Sequence, residues 1–195
     1  MHDETFDDRY AFVGPTRLPA AQDWTPPGRP LVLVSLGTII SRPDLFRTCV
    51  QAFADEPYHV VMSVGRGIDP ADLGPLPANI EAHRHVPQPA VLAHADAFVT
   101  HTGMNSAMES LAAAVPMVAI PHTPEEQTTA DRIAALGLGS TIAPADATAE
   151  RLREAVRALL DDPGVRQRLR ALQDDLRAAG GAPCAADAIE ARLPG

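Results

Sequence analysis

Short apolar runs alternating with longer amphipathic stretches constrain this chain more than any other feature. Leu31-Val32-Leu33-Val34-Ser35-Leu36 is almost continuously apolar, the pattern of a strand covered on both faces. Positions 44–54 then place Leu45, Cys49, Ala52 and Phe53 at helical spacing. Further strands are expected at 59–64, 80–84, 97–100, 116–120 and 140–142. Helices are expected at 104–114, 125–136 and 148–160. The last of these carries a Leu152, Val156, Leu159/Leu160 stripe and Thr148 as its N-cap. Two more helices fill 163–178 and 183–193, with Gly180-Gly181 between them. Strand–helix alternation of this kind makes an α/β, Rossmann-like parallel sheet with helices on both faces. Ligands of such sheets bind at the carboxyl ends of the strands, so residues that directly follow a strand carry the functional information.

Composition narrows the chemistry. The 195 residues suit one domain with a short arm, and 46% apolar residues supply a core. Residues 1–30 contain Gly14-Pro15 and Thr25-Pro26-Pro27-Gly28-Arg29-Pro30 and read as an arm or interdomain linker; 31–195 read as the binding domain. Acids outnumber bases 25 to 16, for a net charge of −9, which argues against a nucleic-acid surface. Every base is arginine. Without lysine there is no Walker A loop, no kinase-type phosphate lysine and no pyridoxal Schiff base. Cys49 and Cys184 are too few for a disulfide framework, no apolar run is long enough for a membrane span, and Met1 to Tyr10 lack the order of a signal peptide. These features lead to the expectation of a cytoplasmic protein without a membrane partner.

Four strand exits carry candidate groups. Ser35-Leu36-Gly37-Thr38 follows the first strand, where two hydroxyls and a glycine suit either an approach to an anion or an ordinary turn. His85-Val86-Pro87-Gln88-Pro89 follows the third: His85 offers a flat ring to a base and Gln88 an amide to its edge. After the fourth come His101-Thr102-Gly103-Met104-Asn105-Ser106 and Glu109. Gly103 permits close backbone approach, and the helix opening there has N–H groups without intrahelical partners. Those donors and the helix dipole suit a diphosphate, with side-chain donors from Asn105 and Ser106. Glu109, one turn deeper on Asn105's face, suits ribose hydroxyls. After the fifth strand, Glu126 and Gln127 offer an acceptor and an amide to sugar hydroxyls, although acids at a helix start also complement its dipole. His83-x-His85 has metal-compatible spacing, but no Cys or H-E-x-x-H pattern joins it, and no metal or cofactor is expected. Ile68-Asp69-Pro70 interrupts a dinucleotide fingerprint after Gly65-Arg66-Gly67, which argues against NAD.

Taken in order, Ser35-Leu36-Gly37-Thr38, His85-Val86-Pro87-Gln88, Phe98-Val99-Thr100-His101-x-Gly103-Met104-Asn105-Ser106-x-x-Glu109, Val115-Pro116-Met117-Val118 and Glu126-Gln127 resemble one family. It is the UDP-glycosyltransferase superfamily of GT-B glycosyltransferases, and in particular the donor-binding half of its bacterial, macrolide-type, antibiotic-modifying members. The likeness covers about residues 10–193. It implies that His101, Asn105 and Ser106 hold the diphosphate beside Gly103 and Met104, and that Glu109 holds the ribose. Glu126 and Gln127 would meet the sugar, His85 the base, and Ser35 or Thr38 the phosphates. Family members often carry tryptophan where this chain has His85, aspartate where it has Glu126, and asparagine where it has Thr129. The implied function is UDP- or TDP-sugar binding for an inverting transfer to a natural-product acceptor such as a macrolide. The general base and acceptor pocket would lie in an N-terminal domain that nothing before Leu31 can build. The alternatives are a nucleotide-sugar epimerase of similar fold and a non-catalytic nucleotide-sugar binding module.

Overall fold

The computed structural model describes residues 10–16, 24–25, 30–37 and 42–193. In chain order the strands are β1 (Leu31–Ser35), β2 (His59–Ser63), β3 (Ile80–His83), β4 (Ala97–Thr100), β5 (Met117–Ala119) and β6 (Gly139–Thr141). The α-helices are α1 (Pro43–Phe53), α2 (Gln88–Leu92), α3 (Met104–Ala112), α4 (Pro124–Ala135), α5 (Ala149–Asp161), α6 (Pro163–Ala178) and α7 (Gly181–Glu190). Every pairing is parallel, in the order β3-β2-β1-β4-β5-β6. Strand order therefore reverses between β1 and β4, where a doubly wound sheet opens a crevice at its carboxyl edge.

The strands begin and end within one residue of their expected bounds. Their near-continuous apolarity has the anticipated cause, since both faces are covered. Helix α1 packs on α5, which lies over β4 and β5, and α3 meets α2, α4 and α6. Phe46 and Phe53 of α1 and Leu152 and Val156 of α5 are fully buried against Leu31, Leu33 and Phe98. Each such side chain stabilises the fold by roughly 1.5–3 kcal/mol through apolar burial. Thr148 caps α5 as expected, its Oγ1 accepting from Arg151 N at 3.3 Å.

Two polar devices hold strand ends in place. Asp96 Oδ2 accepts from Leu31 N at 2.9 Å, and its Oδ1 accepts from Arg166 at 3.2 Å, so α6 is tied to the start of β1. Buried Asn79 donates to the carbonyls of Phe53 at 2.9 Å and Tyr58 at 3.1 Å, joining the end of α1 to the approach of β2. The described part of the arm is not free of the domain. Gly181 N donates to Val13 O at 2.7 Å, and the Trp24 ring lies 5.8 Å from that of His94.

The short helix α2 was not expected. The segment His85-Val86-Pro87-Gln88-Pro89 carries two prolines, Pro87 and Pro89. They fall at the N-cap and the second helical position, where the missing N–H has no intrahelical partner to lose.

Candidate functional site

At the carboxyl edge, β1, β2 and β4 end in register on three hydroxyl residues, Ser63, Ser35 and Thr100, all of them buried. Above this row lies a cleft of about 780 Å³ walled by the segments that follow β1, β3, β4 and β5. Ser35, His85, Val86, Gln88, His101, Gly103, Met104, Asn105, Ser106, Glu109 and Glu126 all line it. These residues come from four separate stretches of sequence, and the strand order is what gathers them. Thr38 lies outside the described residues. Gln127 is not among the lining residues; it is exposed, and its Nε2 donates to Asp131 at 2.7 Å within α4. Glu125, which reads from sequence as helix-end charge, lines the cleft instead, as do Ser63 and Thr123.

The start of α3 dominates the cleft. Its N-cap, Gly103, has no side chain to satisfy the first amides, and the first intrahelical bond is Ala107 N to Gly103 O at 3.0 Å. The N–H groups of Met104, Asn105 and Ser106 thus have no partner within the helix, and the positive end of the dipole faces the same way. Asn105 and Met104 are exposed there. Among the described residues no arginine lines the cleft, and the α3 amides supply positive potential from the backbone.

The His101 imidazole is wedged between two glycines. A β-carbon on Gly37 would lie 3.0 Å from Nε2, and one on Gly103 only 2.5 Å, closer than side chains tolerate. Gly37 also has a φ of +87°, which glycine adopts without cost. Burial lowers the His101 pKa, with the Glu126 charge and the Ser35 backbone opposing it. His122 is lowered too, chiefly by burial and then by Arg42. Thr102, between His101 and Gly103, takes φ +62°, a left-handed conformation that strains a β-branched residue. Its backbone N–H reaches Thr100 Oγ1 at 3.2 Å, and its hydroxyl reaches Glu126 O at 3.1 Å, which holds the kink that aims α3 into the cleft.

Two carboxylates at the cleft already have protein partners. Glu109 Oε2 accepts from Gln88 Nε2 at 2.7 Å, and the same amide reaches Ser106 Oγ at 3.2 Å. Glu126 completes a capping box on α4. Its Oε2 accepts from His122 N at 2.6 Å and Thr123 N at 3.1 Å, while Thr123 Oγ1 accepts from Glu126 N at 3.3 Å. Both readings of Glu126, helix capping and presence at the cleft, are met by one side chain. Among the described residues no group of His, Cys, Asp and Glu could hold a metal ion, and no helix is long and apolar enough to cross a membrane.

Comparison with known proteins agrees with the fold. Demethyllactenocin mycarosyltransferase of Streptomyces fradiae is 47% identical over 97% of this chain and 42% of its own length. The crystal structure of CalG4, the calicheamicin glycosyltransferase, superposes with a TM-score of 0.89 at 48% identity, covering 96% of this chain and 49% of that one. The glycosyltransferase VinC, solved in complex with dTDP, superposes at 0.74 with 25% identity, covering 90% of this chain and 45% of that one. The chain spans about half the length of the curated relatives it matches. The family model for UDP-glucoronosyl and UDP-glucosyl transferase matches residues 25–174, and the chain belongs to that family.

Proposed function

We propose that residues 31–195 form the nucleotide-sugar binding domain of an inverting glycosyltransferase, corresponding to the C-terminal half of the family's chains, with residues 1–30 as the interdomain arm. The observation that carries this reading is the open N-terminus of α3 at the point where strand order reverses, with Glu109 farther along the same helix and held there by Gln88 of α2. A UDP- or TDP-sugar would lay its diphosphate on the amides of 104–106, assisted by His101, Asn105, Ser106 and Ser35 or Thr38. Its pentose would reach Glu109, and its base the wall formed by His85 and Val86. The sugar would extend toward Glu125 and Glu126, whose Oε1 takes no part in the capping box. Gln127 would join them only by leaving Asp131. VinC, solved with dTDP, supports a nucleoside diphosphate in a fold of this kind.

In the transfer, a base supplied by the other half of the enzyme takes the proton of an acceptor hydroxyl. That oxygen forms a bond to the anomeric carbon while the bond from this carbon to the β-phosphate oxygen breaks, and the nucleoside diphosphate leaves with the electron pair. Negative charge grows on the phosphate as it departs. The α3 amides are already oriented toward it, so they stabilise the transition state without reorganising; a single such donor is worth roughly 10²–10³ in rate. Relatives named for demethyllactenocin and calicheamicin support a natural-product acceptor, such as a macrolide or other polyketide. A cytoplasmic setting belongs to the same reading, with Cys49 and Cys184 as free thiols.

Calorimetric titration with UDP and TDP tests the assignment. Asn105→Ala and Glu109→Ala should each weaken binding by about tenfold or more, the scale of one hydrogen bond to a charged group. Unchanged affinity in both variants would overturn it.

A further inference from the structure

A nucleoside diphosphate carries several negative charges, and the cleft offers it no permanently charged base. The lining holds three carboxylates, those of Glu109, Glu125 and Glu126, and among the described residues no arginine. The chain has no lysine at all. Two lining side chains can acquire a positive charge, the imidazoles of His85 and His101. His85 is exposed beyond the end of β3, whereas the His101 ring lies against Gly103, the N-cap of α3. The two nitrogens of His101 differ. Nδ1 is buried and has no hydrogen-bond partner among the described residues. Nε2 is the ring atom nearest to where a β-carbon of Gly37 or of Gly103 would stand, and both glycines line the cleft. An anion seated on the first amides of α3 therefore meets Nε2.

Burial is the largest influence on the free ring and holds its pKa below the ordinary imidazole value; the Glu126 carboxylate of α4 and the Ser35 backbone at the end of β1 oppose it. His122, on the segment after β5, disfavours charge on His101 if it is itself charged, and Arg42, before α1, opposes charge on His122. From α3 the ring faces the positive end of the helix dipole. The balance is thus close to neutral and weighted toward the uncharged ring. A bound diphosphate reverses it, because an opposite charge within contact raises a proton affinity by roughly 10- to 1000-fold. The imidazolium then donates to phosphate from Nε2 in a charge-assisted bond, stronger than the same bond from a neutral ring.

We infer that the cleft takes up a proton together with its nucleotide: His101 is a neutral imidazole in the free protein and an imidazolium, donating from Nε2, when a diphosphate is bound. This rests on the nucleotide reading above and goes beyond it, because it fixes a charge state and makes occupancy respond to pH near neutrality. Linkage is reciprocal, so the proton raises nucleotide affinity by the factor by which the nucleotide raises proton affinity. The complex therefore loosens as pH rises above neutrality.

The test is an NMR titration of the full chain with UDP at about pH 7.5, following the assigned ring nitrogens of His101. Those nitrogens report protonation of the ring itself, whatever the ionisation of UDP. The expected result is the neutral-ring pattern without UDP and the imidazolium pattern at saturation. A companion calorimetric series compares the wild type with His101→Gln, which cannot take up the proton. Between about pH 7 and pH 8 the wild-type dissociation constant should rise by roughly three- to tenfold more than that of the variant. The ionisation of UDP is common to both proteins and cancels in that comparison. A His101 ring that stays neutral in the UDP-saturated chain overturns the inference, leaves the nucleotide reading standing, and does not depend on how the variant folds. So does a His101→Gln protein that binds UDP with the pH dependence of the wild type. If UDP does not bind at any pH, the nucleotide reading fails and the inference fails with it.

Discussion

At the scale of single residues, the site depends on what is kept out as much as on what is put in. His101 fits only because Gly37 and Gly103 have no side chains. In Gly103→Ala the new β-carbon would start 2.5 Å from His101 Nε2, so the imidazole must swing away from the start of α3. The expected result is nucleotide affinity lower by about tenfold or more. The melting temperature should move by only a few degrees, about the scale of 1 kcal/mol, since the ring lies at an open cleft. The two half-buried histidines also set a pH dependence. His101 and His122 both lie below the ordinary imidazole value of 6.5 in the folded protein, burial being the first cause for each. Just below that value the unfolded chain takes up protons that the native state does not, so stability present above 6.5 is lost as pH falls through the lowered values. Thermal melts should show a decline between about pH 7 and pH 5.5, and the double variant His101→Gln, His122→Gln should flatten it. A wild-type melting temperature that rises over that interval would contradict this account.

At the scale of elements, the short strands were legible because burial on both faces leaves a continuous apolar run with turn formers at its ends. The start of α3 was legible for a similar reason, since a glycine after an apolar strand marks where a helix opens. Other features were not. The α2 helix was hidden by prolines that a first turn tolerates. The choice between Glu125 and Gln127 at the cleft depends on the angle at which α4 enters, which Thr123 and Glu126 set through the capping box, and residue type alone does not report that angle. Nor does sequence show that Gln88 and Glu109, 21 residues apart, meet across α2 and α3. The joints between elements should matter for stability and not for binding. Asn79 carries the junction of α1 and β2 on three backbone carbonyls, those of Phe53, Glu56 and Tyr58. Asn79→Ala removes these bonds, leaving Phe53 O with Glu56 N at 3.3 Å, and should lower unfolding free energy by about 1–3 kcal/mol. Chemical denaturation checks this, with nucleotide affinity of the folded variant unchanged.

At the scale of the whole molecule, the chain is a parallel sheet whose order reverses between β1 and β4, and the functional groups cluster along the carboxyl edge of that reversal. Overall charge does not predict this. Under the proposed reading, a protein with a net charge of −9 would bind an anion here through oriented backbone amides, because repulsion from distant charges is screened within roughly 8–10 Å at physiological salt while donors in contact are not. The central claim is that the edge of α3 is a metal-independent site for nucleoside diphosphates. Its most direct test is an NMR titration of the full chain with UDP and TDP in the presence of a chelator, with NAD as control. The account predicts saturable shifts of the backbone amides of Gly103, Met104, Asn105 and Ser106 with UDP or TDP, and none with NAD. Shifts confined to the opposite edge of the sheet, or no response to either nucleoside diphosphate, would contradict it.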